Sequence, residues 1–138
     1  MHLSGTTTML GLMGTPVAHS KSPAMYNHCF AKYGLDWAYL AFDVTQEQTG
    51  AAVQAIRTLN MRGANVTMPC KSAVIPYLDK LSPEAQAIGA VNTIVKRDGR
   101  LYGYNTDYAG FSYLAKAHGV DFADKTVLIL GTGGTHST

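Results

Sequence analysis

Cysteine is scarce in this chain, and what there is does not cluster: Cys29 and Cys70 are the only two in 138 residues. They cannot form a disulfide framework or a cysteine-rich metal centre, so no metal site is expected. Both read as thiols kept reduced, with Cys29 a core residue on a helix, and a cytoplasmic location is expected. Charge of one sign is equally thin. Eleven Lys and Arg face nine Asp and Glu, a net charge of +2, and no basic run lies beside aromatic residues. Nucleic acid is therefore not an expected partner. Apolar runs long enough to cross a membrane are missing, and residues 1–13 lack the basic start and long apolar core of a secretory signal. There is no internal repeat and no low-complexity tract. A chain of this length is one domain, or one domain plus a fragment of a second. It buries roughly two-thirds of its unfolded surface without help from a metal.

What is present is an alternation of strand and helix signals. Residues 8–13 read as a strand ending at Gly14. Ser22 then caps a helix with Pro23 at its first position; Met25, Cys29, Phe30 and Tyr33 form its apolar face, and Gly34 stops it. Residues 37–44 predict a strand, 46–59 a helix and 63–67 a third strand. Short helices are expected at 72–78 and 83–88, the second capped by Ser82. Residues 91–96 and 101–104 form a hairpin across Arg97-Asp98-Gly99. A helix over 106–118 ends at Gly119, and 125–130 has the continuous apolar character of a strand buried on both faces. This order specifies an α/β fold: an open, mostly parallel twisted sheet with one antiparallel hairpin strand and helices on both faces.

Four polar groupings carry chemistry. Asn65-Val66-Thr67-Met68-Pro69-Cys70-Lys71 ends the third strand, where Pro69 bars further pairing. Asn65 and Thr67 share a face, and Lys71 returns after the proline. An amide, a hydroxyl and an ammonium suit a small ligand with several hydroxyls; a polar strand end with a solvated lysine is the plain alternative. His19-Ser20-Lys21-Ser22-Pro23 lies at the carboxyl end of the first strand. There, Ser20 and Ser22 flank a helix start that favours an anion such as a carboxylate, while Ser22 alone also reads as a simple cap. Asn92 and Asn105-Thr106-Asp107 meet at the hairpin ends. Asp107 is an ordinary first-turn acid unless Lys71 is near; a Lys–Asp pair beside a secondary alcohol exchanges a proton while a hydride leaves the carbon. Finally, Gly131-Thr132-Gly133-Gly134 follows a buried strand, as at the opening of a dinucleotide-binding unit.

These pieces resemble the shikimate dehydrogenase and quinate/shikimate dehydrogenase family. The matching motifs are Ser20-Lys21-Ser22-Pro23, the run from Met61 to Lys71, the run from Ile88 to Thr93, Gly103-Tyr104-Asn105-Thr106-Asp107, and Leu130-Gly131-Thr132-Gly133-Gly134. The resemblance implies that Ser20 and Ser22 bind the substrate carboxylate. Asn65, Thr67, Asn92 and Asp107 would bind ring hydroxyls, and Lys71 and Asp107 would form the catalytic pair. Gly131, Gly133 and Gly134 would begin the phosphate loop of NADP, or alternatively NAD. In the full family enzyme, shikimate and 3-dehydroshikimate are interconverted for aromatic amino-acid biosynthesis. The implied organisation is a substrate-binding domain over 1–110, a connecting helix over 111–123, and the first strand and glycine loop of a second domain over 124–138. On that reading the chain binds shikimate or quinate without turnover and holds the cofactor poorly. The other reading is a non-catalytic binding module for such hydroxy acids. His136 departs from the family pattern, where a small residue is expected. A strand at 125–130 without its partners would dock on a second copy or on the chain's own substrate domain, and a homodimer is the outcome expected first.

Overall fold

The computed structural model describes residues 3–128. Its elements follow one another as β1 (Thr8–Gly14), α1 (Ser22–Lys32), β2 (Trp37–Asp43), α2 (Thr49–Thr58), β3 (Gly63–Val66) and α3 (Cys70–Ala73). A 3-10 turn (Ile75–Tyr77) leads to β4 (Lys80–Leu81), α4 (Pro83–Ile88), β5 (Thr93–Arg97), β6 (Arg100–Tyr104) and α5 (Asp107–Ala117). The six strands make one sheet in the order β2-β1-β3-β5-β6-β4. β1 is parallel to β2 and β3, and β4 is parallel to β6. β5 alone runs against both its neighbours, β3 and β6. This is the open, mostly parallel sheet with one antiparallel strand that the sequence specifies.

Register divides the side chains between two faces, because residues alternate along a strand and aligned residues share a side. Met13, Ala64, Val66, Ile94 and Leu101 point to one face and form the larger core with Val53 and Ile56 of α2. Leu12 and Tyr39 point to the other, where they pack with Val17 and with Phe30 of α1. Asn65 aligns with Leu12 on one side and with Thr93 on the other, so it lies on the α1 face. There the apolar layer gives way to polar side chains. The edge strand β2 is held from outside by α1. Asn27 Nδ2 donates to the Tyr39 carbonyl, and the Tyr39 N–H donates to Asn27 Oδ1, both at 2.9 Å.

Several local expectations shift. Ser22 is the first helical residue of α1 rather than its cap; Lys21 holds the cap position, and Ser20 Oγ accepts the Ser22 N–H at 3.2 Å. The inward face of α1 is Tyr26 and Phe30, while Met25 and Tyr33 are exposed. Cys29 is only half-buried, and it is Cys70 that is fully buried. α2 starts at Thr49 because residues 46–48 form a tighter turn, in which Gln48 N–H bonds the Thr45 carbonyl and Thr49 N–H that of Gln46. The helix expected over 72–78 divides into α3 and the 3-10 turn, where Pro76 cannot donate a backbone bond. β4 is too short to leave a sequence signal. Of the strand expected over 125–130, residues 125–128 are irregular, with Val127 and Leu128 exposed and no strand paired with them among the described residues. Residues 129–138 lie outside the described part, as do Gly131, Gly133, Gly134 and His136.

Asp79 joins α2 to the hairpin. Its carboxylate accepts the Leu101 N–H at 2.6 Å and Arg57 Nη2 at 2.8 Å, while Arg57 Nη1 donates to the Gly99 carbonyl at 3.0 Å. The Leu101 N–H first, and Arg57 second, hold this carboxyl below its usual value. A depressed folded-state pKa contributes stability above the unfolded value, about 3.9, and that contribution is lost as pH falls through the folded one. Asp79→Asn should therefore lower the urea midpoint at pH 7, with the gap from the parent closing at more acid pH. An equal gap from pH 7 down to pH 2 would refute the linkage.

Candidate functional site

The polar groups converge at one end of the sheet, where β1, β3 and β6 finish and antiparallel β5 begins. Gly14, the last residue of β1, has φ +149, and a Cβ there would run into Thr67 Cγ2 and lie 2.6 Å from the Met68 carbonyl oxygen. Only glycine lets the two strand ends approach this closely. Backbone bonds then lock them: Thr67 N–H to the Met13 carbonyl and Thr15 N–H to that of Met68, each 2.9 Å. Past Pro69 the chain turns into α3, which carries Lys71. The Lys71 carbonyl accepts the Val91 N–H at 2.8 Å, fixing α3 against the entry to β5.

That docking sets Lys71 beside Asp107 at the start of α5. Nζ lies 2.7 Å from Oδ2, with the two side chains 17% and 34% exposed, a pair screened from bulk water but open to a ligand. Asn105 is buried; it donates to the Ala90 carbonyl at 3.1 Å and accepts the Asp107 N–H at 3.0 Å, which anchors the first turn of α5. Asn92 Nδ2 donates to Asp107 Oδ1 at 2.8 Å and to Thr106 Oγ1 at 2.9 Å. Its Oδ1 accepts the Thr106 N–H at 3.1 Å and the Thr93 hydroxyl at 2.9 Å. Asn65 Nδ2 reaches Thr93 Oγ1 at 3.2 Å, and Tyr39 Oη reaches Asn65 Oδ1 at 2.8 Å.

Of the residues singled out in the sequence, the structure brings Asn65, Lys71, Asn92 and Asp107 into this one network. Ser20, Ser22 and Thr67 make no hydrogen bond to it among the described residues. Ser22 is nonetheless on its side of α1. It lies one turn before Tyr26, and residues four apart share a helix face. The Tyr26 ring stacks on Tyr39 with centroids 4.4 Å apart. Because Lys21 holds the cap position and Ser20 Oγ accepts the Ser22 N–H, the Ser22 hydroxyl is not used in capping. Sequence reasoning passed over Tyr39 and Thr93. Thr93 stands next to Asn92 in a motif already singled out, whereas Tyr39 gave no signal beyond strand character.

A cation–carboxylate pair, amides and hydroxyls gathered at strand ends are groups able to hydrogen-bond a small polyhydroxylated molecule. The chain belongs to the shikimate dehydrogenase substrate-binding domain family, whose model matches residues 12–94. It is 51% identical over 134 residues to the NADP(+) shikimate dehydrogenase of Streptococcus uberis, covering 96% of this chain and 45% of that protein. The chain thus spans about half the length of the curated relatives it matches. Shikimate 5-dehydrogenase from Listeria monocytogenes, solved with shikimate and NAD, aligns with a TM-score of 0.88 and 46% identity over 99% of this chain and 47% of that one. The Thermus thermophilus enzyme, solved with NADP(H) and shikimate, aligns at 0.83 and 42% identity over 94% and 49%. No helix among the described residues is long and apolar enough to cross a membrane.

Asn92 is the hub of the network, so its removal has a defined cost. Asn92→Ala removes the side-chain partner of the Thr106 N–H and of one Asp107 oxygen, both within reach of water, and should destabilise the fold by about 1 kcal/mol, read from urea unfolding. Asn92→Asp should be at least as damaging, because it sets a second carboxylate against Asp107. Wild-type stability in both variants would show that the hub carries no load.

Proposed function

We propose that this chain is the shikimate-binding part of an NADP-dependent shikimate dehydrogenase, and that it binds the substrate by itself without turning it over. The observation that carries the reading is the Lys71–Asp107 contact at 2.7 Å, braced by Asn92. Ser20 and Ser22, at the positive end of the eleven-residue α1, hold the carboxylate. Asn65, Thr67, Asn92 and Asp107 hydrogen-bond the ring hydroxyls. Lys71 donates a proton to the ketone oxygen in reduction and takes it back from the hydroxyl in oxidation, with Asp107 orienting the ammonium.

The proposed organisation keeps residues 1–110 as the substrate domain, 111–123 as the connection and 124–138 as the opening of a cofactor domain. Gly131, Gly133 and Gly134 would meet the phosphates of NADP, with NAD as the alternative. The bound nicotinamide would supply the hydride acceptor that alcohol oxidation requires. The described residues fit that demand from the substrate side: a proton-transfer pair stands among the groups that would hold the alcohol. Two free thiols, one of them fully buried, favour a reducing compartment, and we place the protein in the cytoplasm.

Shikimate should raise the melting temperature of this chain. Binding to the folded state contributes about 2.7 kcal/mol at a hundredfold excess over the dissociation constant. No shift at millimolar shikimate in a folded sample would refute an intact site, and a quinate series alongside reads the preference between the two acids. The roles of the groups should also separate. Ser20→Ala with Ser22→Ala should weaken binding of either acid. Lys71→Ala, made in a full-length family enzyme carrying this domain, should collapse kcat with a smaller change in substrate affinity. Lost affinity with kcat retained would reverse that assignment.

A further inference from the structure

An asparagine can be turned two ways, and its orientation decides whether it offers a ligand an N–H or a carbonyl. Here the orientation follows from one backbone group. The Thr106 N–H must meet an oxygen, so the Asn92 atom 3.1 Å away is Oδ1. Thr93 Oγ1 lies 2.9 Å from that oxygen, and two oxygens so close need a hydrogen between them; the Thr93 hydroxyl supplies it. Its one hydrogen thus committed, Thr93 must accept from Asn65, so the Asn65 atom 3.2 Å away is Nδ2. Asn65 Oδ1 then faces Tyr39 Oη at 2.8 Å, and the phenol must donate. At the other end, the Asn92 amide nitrogen is left to donate to Asp107.

We propose that Tyr39 and Thr93 are positioning residues that fix a one-way chain of hydrogen bonds running from Tyr39 through Asn65, Thr93 and Asn92 to Asp107. The chain sets which end each asparagine turns towards a bound ligand. It rests on the shikimate-binding reading only where a ligand is used to test it. Asn65 is held as a donor: its second amide hydrogen has only a 3.5 Å contact with the Asn92 carbonyl and is the one a ligand oxygen would take. Asn92 is held with its N–H towards Asp107, leaving that carboxylate as acceptor for both Asn92 and Lys71. Tyr39 suits the terminal place. It is 1% exposed, stacked on Tyr26 and clamped at its backbone by Asn27. Burial first, and Tyr26 second, raise its phenol well above the ordinary range, so it remains a donor. Aligned donors also polarise one another, so the Asn92–Asp107 bond is strengthened by groups it does not touch.

Two kinds of variant test this. Tyr39→Phe removes only the phenol oxygen. Thr93→Val removes the relay hydroxyl at nearly constant shape, and Thr93→Ser restores it. In the ligand-free chain, the side-chain amide NMR signals of Asn65 and Asn92 should move in Thr93→Val and return towards the parent in Thr93→Ser, while Tyr39→Phe moves those of Asn65. Shikimate affinity should fall about tenfold in Tyr39→Phe and in Thr93→Val, the loss of one hydrogen bond's worth. The double variant should lose less than the product of the two, because the first break already releases the chain. Unmoved amide signals in Tyr39→Phe and Thr93→Val, or losses that multiply fully, would overturn the proposal. If the parent binds no shikimate, the functional reading fails, and the amide signals still decide this one. If Tyr39→Phe does not fold, the Thr93 pair decides it.

Discussion

Asp107 accepts from two partners at once, Lys71 Nζ on one oxygen and Asn92 Nδ2 on the other. Partly withdrawing an ammonium and a carboxylate from water carries a penalty, and their mutual attraction offsets it best when further hydrogen bonds satisfy what remains. The surrounding architecture meets that condition. α3 is docked by its own carbonyl onto the strand entry beside Asn92. The buried Asn105 amide fixes the turn from which Asp107 projects. The reversal of β5 brings the start of one strand to the ends of three others. A sheet parallel throughout would have put Asn92 at the opposite edge.

The same sheet explains why the polar cluster does not weaken the core. Alternation sends Val66 and Ala64 into the larger apolar layer while their neighbour Asn65 faces the other way. On that second face, α1 lays Phe30 over only the part lined by Leu12 and Tyr39. The site begins where that cover ends, so Asn65, Thr67, Asn92 and Thr93 are half-exposed. They are screened enough for their geometry to hold and open enough to exchange partners with a ligand.

Much of this was legible in the chain. Strand and helix order followed from apolar periodicity and from glycine and proline punctuation, and the antiparallel strand from Arg97-Asp98-Gly99. Lys71, Asn92 and Asp107 each stood out in a motif at a strand or helix end, but only the family resemblance joined them into one set. Boundaries were less so: the first turn of α2 closes more tightly than helical spacing predicts, and two-residue β4 has no period to read. Ser22 looked like a cap because serine before proline so often is one, and only the backbone bond to Ser20 Oγ shows that the cap is shifted. Tyr39 was invisible as a site residue. A tyrosine in a strand reports burial, and the partner of its hydroxyl is set by register between strands far apart in sequence.

The grip of Asn27 on Tyr39 has a bearing on how copies of this molecule meet. β2 is an outermost strand, and such strands offer their outward N–H and C=O groups as a template for a neighbouring chain. At Tyr39 both groups are already bound to a single side chain from α1. One asparagine thus occupies, at the middle of the edge, the place that a foreign strand would need. Self-association that extends the sheet through β2 would first have to displace it, and in doing so would loosen the tyrosine that supports Asn65.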